Sequence, residues 1–184
     1  DSLLYNREIA ENKSTILNDL GLKSKEYLVA TIHRASNTDN ERNLKNIVDA
    51  FSELNETIIF PLHPRTEKFL KKYGFYERLK SSVILTQPLG FLEFIKLMDH
   101  AKMILTDSGG VQKEAYILKV PCITLRENTE WIETVDDGWN VLAGTDKEKI
   151  VRMVNDVKPA LSTHRNVFGN GKACDNIASI VDNL

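Results

Sequence analysis

The chain has 184 residues, which bounds it to one domain with a sizeable core. Its 42% hydrophobic and 27% charged content is ordinary for a globular protein, and a net charge of −2 excludes nucleic acid or a membrane as a partner drawn by bulk electrostatics. Cys122 and Cys174 stand too far apart for metal-ligand spacing. With no signal peptide and no apolar run long enough for a bilayer, they read as reduced thiols of a soluble, cytoplasmic protein.

Taken in order, residues 3–20 carry helix-period apolar spacing (Leu4, Ile9, Ile16, Leu17, Leu20), with Gly21 as a stop signal. Residues 27–32 form a continuous apolar run, the pattern of a strand buried on both faces. Residues 43–54 read as a helix with Leu44, Ile47, Val48, Phe51 and Leu54 on one side. Residues 57–60 are a second buried strand closed by Pro61, and 67–73 a short helix. Strands at 82–85, 103–105, 122–125 and 139–142 alternate with helices at 91–101, 110–118 and 146–156, and a last helix covers 171–181. Strands of four to six residues alternating with helices predict βαβ units. The fold class is therefore α/β, a parallel sheet of about six strands with right-handed crossovers and helices on both faces.

In that architecture ligands bind beyond the carboxyl ends of the strands. Each of the first five strands runs into polar residues at that end: His33-Arg34, then His63-Pro64-Arg65, then Gln87-Pro88, then Asp107-Ser108-Gly109-Gly110, then Arg126 to Glu130. The glycine pair opening a helix lets backbone come close to a ligand, and the first N–H groups of that helix are free at its positive end. Ser108 adds a hydroxyl. Glu114, in the first turns, can accept two hydrogen bonds from a vicinal diol. Phosphate cradle plus diol acceptor reads as a nucleotide site, although Asp-Ser-Gly-Gly is also a common turn with an N-cap. Arg34 suits a ligand or an ion pair. Arg126 suits a second phosphate or a bridge to Glu130 or Glu133. His63, ahead of a proline, suits a structural role or contact with ligand or effector. Phe94 shares an apolar stripe with Phe91, Ile95 and Met98, and on periodicity alone it is core. No dinucleotide fingerprint, P-loop or metal-spaced cluster occurs, so no cofactor or metal is expected.

Several strings together resemble one family. They are Thr31-Ile-His-Arg34 with Asn37; His63-Pro64; Leu105-Thr-Asp-Ser-Gly-Gly-x-Gln-x-Glu-Ala115; Leu125-Arg126 with Thr129-Glu130; Gly144-Thr-Asp146; and Asn166-x-Phe-Gly-x-Gly-Lys-Ala173. Nearly end to end, the chain is similar to the C-terminal half of the non-hydrolysing UDP-N-acetylglucosamine 2-epimerases. The resemblance implies a two-domain GT-B-type enzyme in which residues 1–184 are a single Rossmann-like, UDP-binding domain and the N-terminal half is absent. It implies inversion at C2 of the sugar by elimination and re-addition of UDP, with no external cofactor and a homodimer for the full-length enzyme. His33 would be the catalytic-site residue near the phosphates, with Arg34 beside it. Ser108, Gly109 and Gly110 would hold phosphate, Glu114 the ribose, the backbone near Phe94 the uracil, and Arg126 would lie in or next to the site. His63 and Glu130 would be effector or sugar contacts.

Two departures stand out. Many members have arginine where this chain has Trp131, a form similar to that of epimerases acting on other UDP-2-acetamido sugars; and Ser36 replaces a frequent glutamate. The family's proton-handling carboxylates lie in the N-terminal half, so the expectation is that this chain alone binds UDP without epimerising it. Two other readings of the same strings are a GT-B glycosyltransferase nucleotide domain and a non-catalytic UDP-binding domain.

Overall fold

Apolar runs without polar alternation need cover on both faces. The computed structural model, which describes residues 1–159 and 161–182, gives them that cover. In chain order the elements are α1 (Ser2–Lys13), α2 (Ile16–Asp19), β1 (Tyr27–Thr31), α3 (Ala35–Thr38), α4 (Glu41–Glu53), β2 (Thr57–Pro61), α5 (Pro64–Lys72) and α6 (Tyr76–Ser82). They continue with β3 (Ile84–Thr86), α7 (Phe91–Asp99), β4 (Met103–Thr106), α8 (Gly109–Ile117), β5 (Cys122–Thr124), α9 (Ile132–Asp136), β6 (Asn140–Leu142), α10 (Lys147–Asp156) and α11 (Ala173–Val181). The strands form one parallel sheet in the order β3-β2-β1-β4-β5-β6, the doubly wound Rossmann-like arrangement. The order reverses between β1 and β4, so their carboxyl ends open the crevice where such sheets take ligands.

Successive strand residues point to opposite faces, and the core divides accordingly. Leu28, Ala30, Ile58, Phe60, Met103 and Leu105 pack on one side with Leu44, Ile47 and Phe51 of α4, Leu79 of α6, and Ile150 and Val154 of α10. Tyr27, Val29, Ile59, Ile104 and Cys122 pack on the other with Leu97 and Met98 of α7 and Val111 and Ala115 of α8. Phe51 meets Phe60 edge-on at 6.3 Å between centroids, a contact worth about 1 kcal/mol beyond its buried area. Tyr27 is fully buried, and its hydroxyl donates to Leu97 O at 2.7 Å, so the polar tip costs little.

The expected helix over residues 3–20 is two. Ser14 turns to extended backbone, and Lys96 of α7 donates to Glu11 O and Ser14 O at 2.7 and 3.0 Å, meeting carbonyls that a continuous helix would have used. Strand three lies over Ile84–Thr86 rather than 82–85, because α6, unforeseen, runs to Ser82. It forms the sheet edge, where Ile84 stays exposed. The short α3 and α9 were also unforeseen: each is one turn or little more, and periodicity has no purchase on so few residues. Among the described residues no helix is long and apolar enough to cross a membrane.

Candidate functional site

The crevice is built on Asp107. Its side chain is fully buried between the ends of β1 and β4, where a lone carboxylate would be costly. Its oxygens accept from His33 N–H at 3.1 and 3.2 Å, from Arg34 N–H at 3.0 Å and from Asn37 Nδ2 at 3.1 Å. Asn37 also donates to Leu125 O at 2.9 Å, so one carboxylate and one amide tie together the segments that leave β1, β4 and β5. The His33 ring lies above, its Nδ1 3.6 Å from Asp107 Oδ1. Sequence reasoning missed Asp107 and Asn37 as site residues. The signal available was a carboxylate at a strand end directly before Ser-Gly-Gly.

β4 leads into α8 through Ser108. The Ser108 N–H donates to Thr106 Oγ1 at 3.0 Å, and Ser108 Oγ accepts from Val111 N–H at 3.4 Å as the N-cap. Among the described residues, the Gly109 and Gly110 N–H groups meet no acceptor. They lie at the positive end of a nine-residue helix, where an anion is stabilised. Glu114 comes four residues after Gly110 and so shares its helix face. Its carboxyl meets no hydrogen-bond donor or cation among the described residues, and burial pushes its pKa up.

His63 is the N-cap of α5: its Nδ1 accepts from Arg65 N–H at 3.1 Å, placing the ring proton on Nε2. Its ring stands 5.7 Å from that of His33. His33, His63, Phe94, Val111, Pro88 and Leu89 border a largely apolar cavity of about 240 Å³ beside the start of α8. Phe94 is half-buried, joining the core on one side and this cavity on the other, so both readings of it have a place. Arg126 takes the ion pair of the two readings left open. Its guanidinium donates to Glu130 Oε1 and Oε2 at 2.7 and 3.0 Å and to Asn128 Oδ1 at 2.9 Å. Trp131 fills space beside the glycine pair and donates from Nε1 to Gly109 O at 2.6 Å. Lys113 Nζ sits between the rings of Trp131 and Phe168, 4.7 and 4.8 Å from their centroids. Among the described residues no group of three His, Cys, Asp or Glu is placed to hold a metal.

Among the described residues the crevice thus offers open N–H donors, a hydroxyl, a carboxyl that meets no partner and an apolar cavity: the parts for a diphosphate, a diol and a flat base. The family model described as UDP-N-acetylglucosamine 2-epimerase matches residues 1–182. A protein of Methanococcus maripaludis named UDP-N-acetylglucosamine 2-epimerase homolog is 52% identical over 187 residues, covering 100% of this chain and 52% of its own length. The UDP-2,3-diacetamido-2,3-dideoxy-D-glucuronate 2-epimerase of Pseudomonas aeruginosa is 38% identical, over 90% of this chain and 47% of that protein. The crystal structure of Methanocaldococcus jannaschii UDP-GlcNAc 2-epimerase in complex with UDP-GlcNAc and UDP is similar at a TM-score of 0.86 and 44% identity, covering 99% of this chain and 52% of that one. The chain spans about half the length of the curated relatives it matches.

Proposed function

This chain belongs to the UDP-N-acetylglucosamine 2-epimerase family, and we propose that it is the UDP-binding half of a two-domain, non-hydrolysing UDP-sugar 2-epimerase. The observation that carries the reading is the pairing at α8: two N–H groups at its start and a carboxyl one turn on that, among the described residues, meet no partner, both at the strand-order switch. The diphosphate would lie on Gly109, Gly110 and Ser108, the ribose hydroxyls would donate to Glu114, and the base would enter the cavity beside Phe94.

In the reaction proposed for the whole protein, a proton leaves C2 while the C1–O bond breaks with its electron pair passing to UDP. The sugar is left as a 2-acetamidoglucal. UDP then re-adds at C1 as a proton returns to the opposite face of C2. Residues 1–184, as a single domain, hold the leaving diphosphate through this cycle. His33 stands next to the glycosidic oxygen, donating a hydrogen bond as negative charge develops there. General acid–base work at C2 falls to carboxylates of the other half. UDP-N-acetylglucosamine is the sugar we assign; Trp131 favours as a second reading another UDP-2-acetamido sugar. For the whole protein we propose a cytoplasmic homodimer serving polysaccharide biosynthesis.

Calorimetric titration tests the reading. UDP is expected to bind and ADP to bind at least about tenfold more weakly, with Ser108→Ala lowering UDP affinity. The chain joined to an N-terminal half is expected to take up one solvent deuterium at C2 of UDP-N-acetylglucosamine in heavy water, and the chain alone none. Equal affinity for ADP and UDP, or epimerisation by the chain alone, would refute it.

A further inference from the structure

Cations are not the only charges around the phosphate seat. Glu130 comes from the segment after β5, and its carboxylate stands against the first residue of α8. A Cβ built on Gly109 would meet Glu130 Oε2 at 3.0 Å, Trp131 Nε1 at 3.6 Å and Arg34 Nη2 at 3.7 Å. Only glycine leaves that corner free. Arg126 grips the carboxylate with both terminal nitrogens, and Asn128 braces Arg126. The hydrogen bonds from Arg126, the Glu130 backbone N–H and the charges of Arg126 and Arg34 hold the Glu130 carboxyl down to about 2, so it is an anion at any working pH. Its side chain is half exposed. A permanent carboxylate at an anion seat opposes binding, and opposes it more for a ligand with more charge.

We propose that Glu130 sets the charge selectivity of the seat, disfavouring a free nucleoside diphosphate relative to the same diphosphate esterified to a sugar. The inference rests on the UDP reading above. The terminal phosphate of UDP carries up to one more negative charge than the diester of a UDP-sugar, because its second ionisation falls near pH 6. One extra like charge a few ångströms from a carboxylate, in surroundings between protein and water, weakens binding on the order of five- to tenfold. The other charged or titratable groups at this corner are Arg126, Arg34, His33 and Lys113. Arg34, His33 and Lys113 are common to wild type and variant, whereas Glu130→Gln also releases Arg126 from its ion pair, which acts in the same direction on the more highly charged ligand.

The experiment is a calorimetric titration of the chain and its Glu130→Gln variant with UDP and with UDP-N-acetylglucosamine, at pH 7.5 and pH 5.0. At pH 7.5 the variant is expected to bind UDP about five- to tenfold more tightly and the UDP-sugar less than about twofold more tightly. At pH 5.0, where the terminal phosphate is mostly singly charged, the gain for UDP is expected to shrink towards that for the sugar ester. Glu130→Ala should act with the same sign, and a melting curve of each variant reports its fold. Equal gains for both ligands, or weaker UDP binding in the variants, would overturn charge selectivity and leave the nucleotide site standing. No UDP binding by any of the proteins would overturn the UDP reading together with this inference.

Discussion

Glu114 ties stability to function, and the two should move in opposite directions when it is changed. Its carboxyl is partly buried, meets no donor or cation among the described residues, and is pushed up from an ordinary value of 4.5 by burial alone. A group with its pKa raised on folding penalises the native state once ionised. The penalty is absent below the unfolded value and full above the raised folded value. Replacing it with the neutral isostere removes that penalty. An unsatisfied buried group costs about 1–3 kcal/mol, and the remaining exposure of Glu114 puts it at the low end, about 1 kcal/mol. For a chain of this size that is a rise in Tm of about 2–4 °C at pH 7 in Glu114→Gln. The difference should close as pH falls below 4.5, where the wild-type carboxyl is protonated in both states. The same variant should bind UDP at least about tenfold more weakly, since hydrogen bonds from a diol to a charged acceptor are worth about 1.5–3 kcal/mol each. Thermal melts across pH, with parallel calorimetry, read both effects. A Tm that is unchanged or lower at pH 7 refutes the desolvation argument, and unaltered UDP affinity refutes the ribose contact.

Asp107→Asn is expected to destabilise the chain by about 2–4 kcal/mol, because an amide turns donor hydrogens towards backbone N–H groups that now meet a carboxylate. Urea unfolding monitored by circular dichroism measures the loss, and a change below about 0.5 kcal/mol would mean Asp107 does not organise the crevice. The two cysteines should differ in reactivity. Cys122 is buried, and burial pushes its thiol up to about 12, whereas Cys174 is exposed. A disulfide-exchange reagent at pH 8 should titrate Cys174 alone in the native chain and Cys122 only in denaturant. Fast labelling of both in the native state would contradict the packing of β5.

The sequence carries local information well: apolar runs mark strands buried on both faces, and 3.6-residue spacing marks helices. For that reason β1, β2, β4, α4 and α10 fall within a residue or two of their expected places. The start of α8 was legible too, since a Ser followed by a glycine pair at a strand end suits an N-cap whether or not a ligand binds there. Features that depend on distant partners were not. The break between α1 and α2 is set by Lys96, more than 80 positions away in the chain. Arg126 is a local case: its bridge to Glu130, four positions on, was one of two readings in the sequence, and the folded segment after β5 decided between them. Asp107 gained its meaning from His33 and Arg34, which reach it only because β4 lies beside β1. Strand order is a long-range choice, fixed by which helices can cover which face of the sheet. It places the open N–H groups of α8 beside the His33–Arg34 turn and makes a site from segments that are ordinary one by one.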